Sequence, residues 1–242
     1  MTIERELVPG HPDLPPLVFL HEGLGSLGLW RDFPRRVANA LGGPTTFVYS
    51  RAGYGYSSPV SLPRPITYMH EEALEVLPVL LHDAGIDRPV LIGHSDGASI
   101  AIISAGAGFP VESLVLISPH VIVEDRSIAG IETAAVAFES GDLRERLRRH
   151  HADVDVAFRG WNDVWRSSAF RDWDITSSLV SITCPVLMIQ EERDAYGTLA
   201  QLDVIERGVS GPVTRLVLPG SGHSAHIDWP DEVTEAIVRH LS

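Results

Sequence analysis

Residues 89–108 read PVLIGHSDGASIAIISAGAG, and at their centre GHSDG sets Ser95 between Gly93 and Gly97. Ahead of the pentapeptide, Pro89-Val-Leu-Ile92 is an uninterrupted apolar run, the pattern of a strand buried on both faces. Behind it, Ala98-Ser-Ile-Ala-Ile-Ile103 opens an apolar segment of helical length. Gly-X-Ser-X-Gly has chemical meaning in this strand–turn–helix setting, where a tight, strained turn displays the serine hydroxyl. Gly93 and Gly97 lack the side chains that would collide across such a turn. Serine is also a preferred N-cap, so the pentapeptide alone leaves a capping role open.

Outward from this turn, short apolar runs recur at Leu17–Leu20, Thr46–Tyr49, Val90–Ile92, Leu114–Ile117, Val186–Ile189 and Thr214–Leu218. Helix-length segments lie between them, at Leu29–Leu41, Tyr68–Ala84, Ala98–Ala107, Leu199–Gly208 and Pro230–Leu241. The alternation predicts one α/β domain with a parallel sheet covered on both sides. The interval 121–175 is too long for a simple crossover and is expected to be a helical cap inserted into a core of residues 1–120 and 176–242. Within it DLRERLRRHH places Asp142 and Glu145 at capping-box spacing. The interval also holds Trp161, Trp165 and Trp173, with Phe138, Phe158 and Phe170. These rings either line an apolar pocket or bury the cap against the sheet.

A serine hydroxyl is a weak nucleophile until a base removes its proton, and the base needs a carboxylate to orient it. After the strand ending at Leu218, PGSGHSAHIDWP delivers His223 from a glycine-rich loop; His226, three residues on, is the competitor. After the preceding strand, QEERDAYG supplies Asp194, with Glu191 and Glu192 chemically equivalent alternatives and Glu124 or Asp125 a more distant one. Asp194 is preferred because it lies past the strand end, in the turn. Ser95 at a helix N-terminus also sits where unpaired N–H groups, that of Asp96 first, favour charge developing on a carbonyl oxygen.

GHSDG at 93–97, Asp194, and GSGH at 220–223, in that order, resemble the α/β-hydrolase superfamily across nearly the whole chain. The resemblance implies a mostly parallel sheet of seven or eight strands with a helical lid after the sixth, and the short N-terminal segment leaves one early strand missing or reduced. FLHEGLGS at 19–26 resembles the family's His-Gly loop, with Glu22 where glycine is common. It implies Gly23 N–H as the second oxyanion donor, Leu24 as its alternative, and an acidic side chain near the pocket. YSRAGYGYSSP at 49–59 resembles the Gly-X-Gly-X-Ser loop, with Arg51 either a structural pair or a substrate contact. A serine nucleophile implies a hydrolase working through an acyl-enzyme: an esterase or lactonase first, with Glu22, Leu24, Trp161 and Trp165 as substrate contacts. No metal or organic cofactor is needed. The Ser-Asp-Gly turn is similar to that of valacyclovir hydrolases, which implies Asp96, with Glu22, as a reader of substrate amines. Carbon–carbon bond hydrolysis, thioester hydrolysis, aminopeptidase activity and a non-catalytic receptor role stay open on the same fold.

The charge balance excludes other classes. With Lys+Arg 19 against Asp+Glu 32, a net −13 repels nucleic-acid phosphates and anionic membrane surfaces. The N-terminal stretch carries no basic segment followed by an apolar one, so a cytoplasmic enzyme with a small-molecule substrate is expected, and a homodimer is left open. The single cysteine, Cys184, cannot form an internal disulfide and is expected to pack as a small apolar residue.

Overall fold

The computed structural model describes residues 2–242. Seven strands form one sheet in the order β1-β3-β2-β4-β5-β6-β7. They are β1 (Arg5–Val8), β2 (Leu17–Leu20), β3 (Thr46–Tyr49), β4 (Val90–His94), β5 (Ser113–Ile117), β6 (Val186–Glu191) and β7 (Val213–Leu218). Strand β1 runs antiparallel against β3; every other pairing in the sheet is parallel. The sheet is thus the mostly parallel, helix-flanked architecture that the alternating pattern predicts.

Strand alternation divides the core in two. Leu17, Phe19, Val90, Ile92, Val115, Ile117, Leu187 and Ile189 share one cluster with α1 (Phe33–Ala40) and α10 (Pro230–Leu241). Val18, Leu20, Leu91, Leu114, Leu116 and Met188 face the other cluster, which takes in α4 (Asp96–Gly106). Burying one such aliphatic side chain stabilises by about 1.5–3 kcal/mol, so the period-2 split fixes which face each helix must cover.

Several expectations shift. β1 is absent from the sequence reading because its four residues, RELV, are exposed and show no apolar run. The segment between it and β2, His11-Pro-Asp-Leu-Pro-Pro16, has prolines at three of its six positions, whose missing N–H groups disfavour a further strand. The long connection therefore follows the fifth strand of this sheet, not the sixth. It contains α5 (Asp125–Ser140), α6 (Leu143–Leu147) and α7 (Val154–Arg166). Farther along, α8 (Ala200–Gly208) precedes β7 and α9 (Ala225–Asp228) follows it.

The expected helix 68–84 is broken into α2 (Tyr68–Glu71), a wider turn over Glu72–Val76, and α3 (Leu77–Asp83). Pro78 has no N–H for the regular bond to the preceding turn. Likewise 29–41 resolves into a short tight turn, Leu27–Trp30, and α1, whose start Pro34 suits. Asp142 does not cap α6: its backbone is already helical, and its carboxylate lies 3.7 Å from Arg146 instead. Among the described residues no helix is long and apolar enough to cross a membrane.

Candidate active site

Ser95 follows β4 and opens α4 with φ 53° and ψ −116°, a left-handed conformation in a residue with a side chain. Such a conformation costs about 1–3 kcal/mol and persists only where its surroundings impose it. They do so here: Ser95 N–H donates to the Ile117 carbonyl at 2.9 Å, locking the turn onto β5. A Cβ on Gly97 would strike the carbonyl of Leu20, and one on Gly93 would strike that of Gly97. The turn is thus closed by steric exclusion on both sides, and the Ser95 side chain makes no capping bond with its own helix.

A cavity of about 290 Å³ opens above it at the C-terminal ends of the strands. Ser95, Asp96, Gly23, Leu24, Glu22, Trp161, Trp165 and His223 all line it. From the long connection, α7 supplies both tryptophans, and the Trp161 indole lies directly on Gly23.

The His223 ring faces Asp194, with Nδ1 at 2.9 and 2.8 Å from the two carboxylate oxygens. Asp194, 1% exposed, also accepts the Tyr196 N–H at 2.8 Å. Burial pushes its carboxyl pKa up, but the His223 ring and the Tyr196 N–H outweigh burial and hold it below the ordinary range. The rivals do other things. His226 packs among Trp30, Phe33 and His94, and burial takes its pKa well down. Glu191 accepts the Gly222 N–H at 2.9 Å, bracing the loop before His223. Glu124 is tied to Thr198 and Gln201. Glu192 is exposed, and Asp125 pairs with Arg171.

The loop at 21–26 is fastened from behind. Arg51, 1% exposed, donates to the carbonyls of His21 and Glu22, so it is structural and does not reach for substrate. His151 donates through Nε2 to the Leu24 carbonyl at 3.0 Å. Because the Glu22 carbonyl turns toward Arg51, the Gly23 N–H of the same trans peptide points the opposite way. Glu22 is drawn to the buried His94, with Oε2 3.4 Å from Nδ1. Burial works against its charge, but that ring outweighs burial and keeps its pKa far below the usual range. Asp96 is fully buried; one oxygen accepts the Tyr68 hydroxyl at 2.5 Å, the other has no partner, and burial raises its pKa against the pull of Arg51.

Some participants were not legible in the sequence. His94 Nε2–H and the Ser118 hydroxyl both donate to the His223 carbonyl, at 2.8 and 3.0 Å, so the loop that carries His223 is held by groups at the ends of β4 and β5. Tyr196 lies against His223 with ring centroids 4.6 Å apart. His120 also lines the cavity. The available signal was position: each of these polar residues sits at, or a few residues past, a strand's C-terminal end.

Residues 17–236 match the model of the alpha/beta hydrolase family. The chain belongs to that family and is a hydrolase. Among curated relatives, RutD of Klebsiella pneumoniae (strain 342), whose name proposes carbamate hydrolysis, is 24% identical over 238 residues, covering 89% of this chain and 87% of its own. Epoxide hydrolase A of Mycobacterium tuberculosis is 30% identical over 80 residues, which is 32% of this chain and 25% of the relative. Among solved structures, an esterase from Exiguobacterium antarcticum superposes with a TM-score of 0.76 at 19% identity, covering 99% of this chain and 95% of that one. The enol-lactonase from Burkholderia xenovorans LB400 does so at 0.71 and 19%, with 99% and 96% coverage. These likenesses extend the fold over the full chain.

Proposed function

We propose that this hydrolase cleaves a small to medium-sized ester or lactone through an acyl-serine intermediate, as a cytoplasmic enzyme needing no metal or organic cofactor. The observation that carries the reading is the His223–Asp194 contact at 2.8 Å, in the cavity whose floor is Ser95 on its strained turn. A buried carboxylate on Nδ1 keeps the ring proton there and leaves Nε2 as the base. Ser95 Oγ attacks the carbonyl carbon as Nε2 takes its proton. The tetrahedral oxyanion accepts N–H groups of Asp96 and Gly23, and His223 returns the proton to the leaving oxygen. Water then repeats the sequence on the acyl-serine, with His223 as base. The helices of the 121–175 connection act as the lid, Trp161 and Trp165 giving an apolar wall to the acyl or alcohol group. The esterase and the enol-lactonase among the structural neighbours fit this substrate range.

A panel of p-nitrophenyl esters with Ser95→Ala as control tests the proposal, together with labelling by a fluorophosphonate. Turnover and labelling that both vanish in the variant are expected. A wild-type protein showing neither supports a non-catalytic ligand receptor, and labelling without ester turnover shifts the reading to carbon–carbon bond hydrolysis. A second reading, amino-acid ester or N-terminal peptide hydrolysis, is favoured by the partnerless, buried oxygen of Asp96 and by Glu22 on the cavity wall. It requires an amino-acid ester to be cleaved faster than its N-acetyl analogue.

A further inference from the structure

The ester-hydrolase reading uses Ser95, His223 and Asp194 but leaves one buried histidine of the cavity idle, and the role assigned to that ring rests on the same reading. His120, 3% exposed, lies just past β5 and is anchored by its own carbonyl, which accepts the Ser99 hydroxyl at 2.7 Å. Its ring stands between the catalytic base and the tryptophan wall, 5.8 Å from the His223 ring and 5.3 Å, edge-on, from Trp165. A Cβ on Gly197 would come within 3.2 Å of Cε1 and 3.5 Å of Nδ1, so that edge packs on the loop after β6, while the residue lines the cavity. Nδ1 is buried without a partner. Burial first, then the neighbouring His223, drive its pKa down to about 4, so the ring is neutral near pH 7. Among the described residues no lysine or arginine lines the cavity to balance a carboxylate, and the two carboxyl groups on its wall, Glu22 and Asp96, offer acceptor oxygens.

We propose that His120 determines substrate specificity by hydrogen-bonding a hydroxyl group on the ester or lactone. A hydroxyl both donates and accepts, so it suits either tautomer of a neutral imidazole, and its proton suits the neighbouring carboxylates. An apolar substituent in its place leaves a desolvated ring nitrogen unpaired, the condition under which a site rejects a substrate most strongly.

The test is a ratio of kcat/KM, followed by pH-stat, for methyl butyrate and its 2-hydroxy and 3-hydroxy derivatives. The wild type is expected to prefer one hydroxy ester by about tenfold or more, and His120→Phe to bring that ratio to about one. His120→Gln, which keeps one donor and one acceptor, retains part of the preference. A wild type without preference, or an unchanged ratio in His120→Phe, overturns the proposal. If His120→Phe does not fold, His120→Gln takes its place: a ratio shifted by about threefold supports the proposal, and an unshifted one overturns it. Fluorophosphonate labelling separates the two claims: an unlabelled wild type sinks the serine-hydrolase reading and this one with it, whereas a labelled wild type with an unmoved ratio sinks only the role of His120.

Discussion

Asp194→Asn is the sharpest test of the site. The carboxylate makes three short contacts: both oxygens to His223 Nδ1, at 2.9 and 2.8 Å, and Oδ1 to the Tyr196 N–H at 2.8 Å. An asparagine of the same shape offers one oxygen and one NH₂. If the oxygen keeps the Tyr196 N–H, the NH₂ donates toward Nδ1, which must then present a lone pair. The ring proton moves to Nε2, the atom that has to accept from Ser95. A triad held in the wrong tautomer loses about four decades in kcat, which is ~5 kcal/mol of transition-state stabilisation at 1.36 kcal/mol per decade. The assay is kcat/KM on p-nitrophenyl butyrate near neutral pH, with circular dichroism and a thermal melt to establish that the variant folds. A folded variant within about tenfold of wild type refutes the orienting role, because a positioned general base is itself worth about 10²–10⁴.

Three further outcomes follow from the same geometry. Ser95→Gly removes the side chain from a left-handed position, so it abolishes turnover yet raises stability by about 1 kcal/mol, or about 2–4 °C in Tm for a chain of this size; calorimetry showing no rise counts against stored strain. His94→Leu deletes one of the two donors to the His223 carbonyl and is expected to lower kcat/KM by about tenfold, mainly through kcat, whereas an unchanged kcat means that Ser118 alone holds the loop. Asp194 is held below its ordinary pKa by His223, despite burial. The folded protein therefore binds fewer protons there than the unfolded chain, and the stabilisation is complete above about pH 4 and lost as pH falls through the folded value. Thermal melts on the acid side should show wild type losing more Tm than Asp194→Asn; parallel curves contradict the linkage.

Much of the site was legible because its parts are local. GHSDG needs only its flanking strand and helix to force the turn, and Asp194 and His223 each follow an apolar run that ends in polar or glycine-rich residues. Tyr196, His120 and His94 were missed as site members because nothing within a few residues of them marks a contact with His223. His94 reaches the His223 carbonyl across 129 positions of sequence. Arg51 shows the complementary case: loop chemistry left it as either a structural pair or a substrate contact, and burial against two backbone carbonyls decides for structure.

By itself, then, the sequence determined the α/β class, six of the seven strands, the strained turn at Ser95 and the chain order of Ser95, Asp194 and His223, because steric exclusion and hydrophobic period act over a few residues. Tertiary structure alone decided that β1 joins as an antiparallel edge, and that the long connection follows the fifth strand. It also decided which histidine faces Asp194 and which idle imidazole looks into the cavity. Those outcomes depend on how strands far apart in sequence lie side by side, and burial, not composition, sets the charge and partners of each group they bring together.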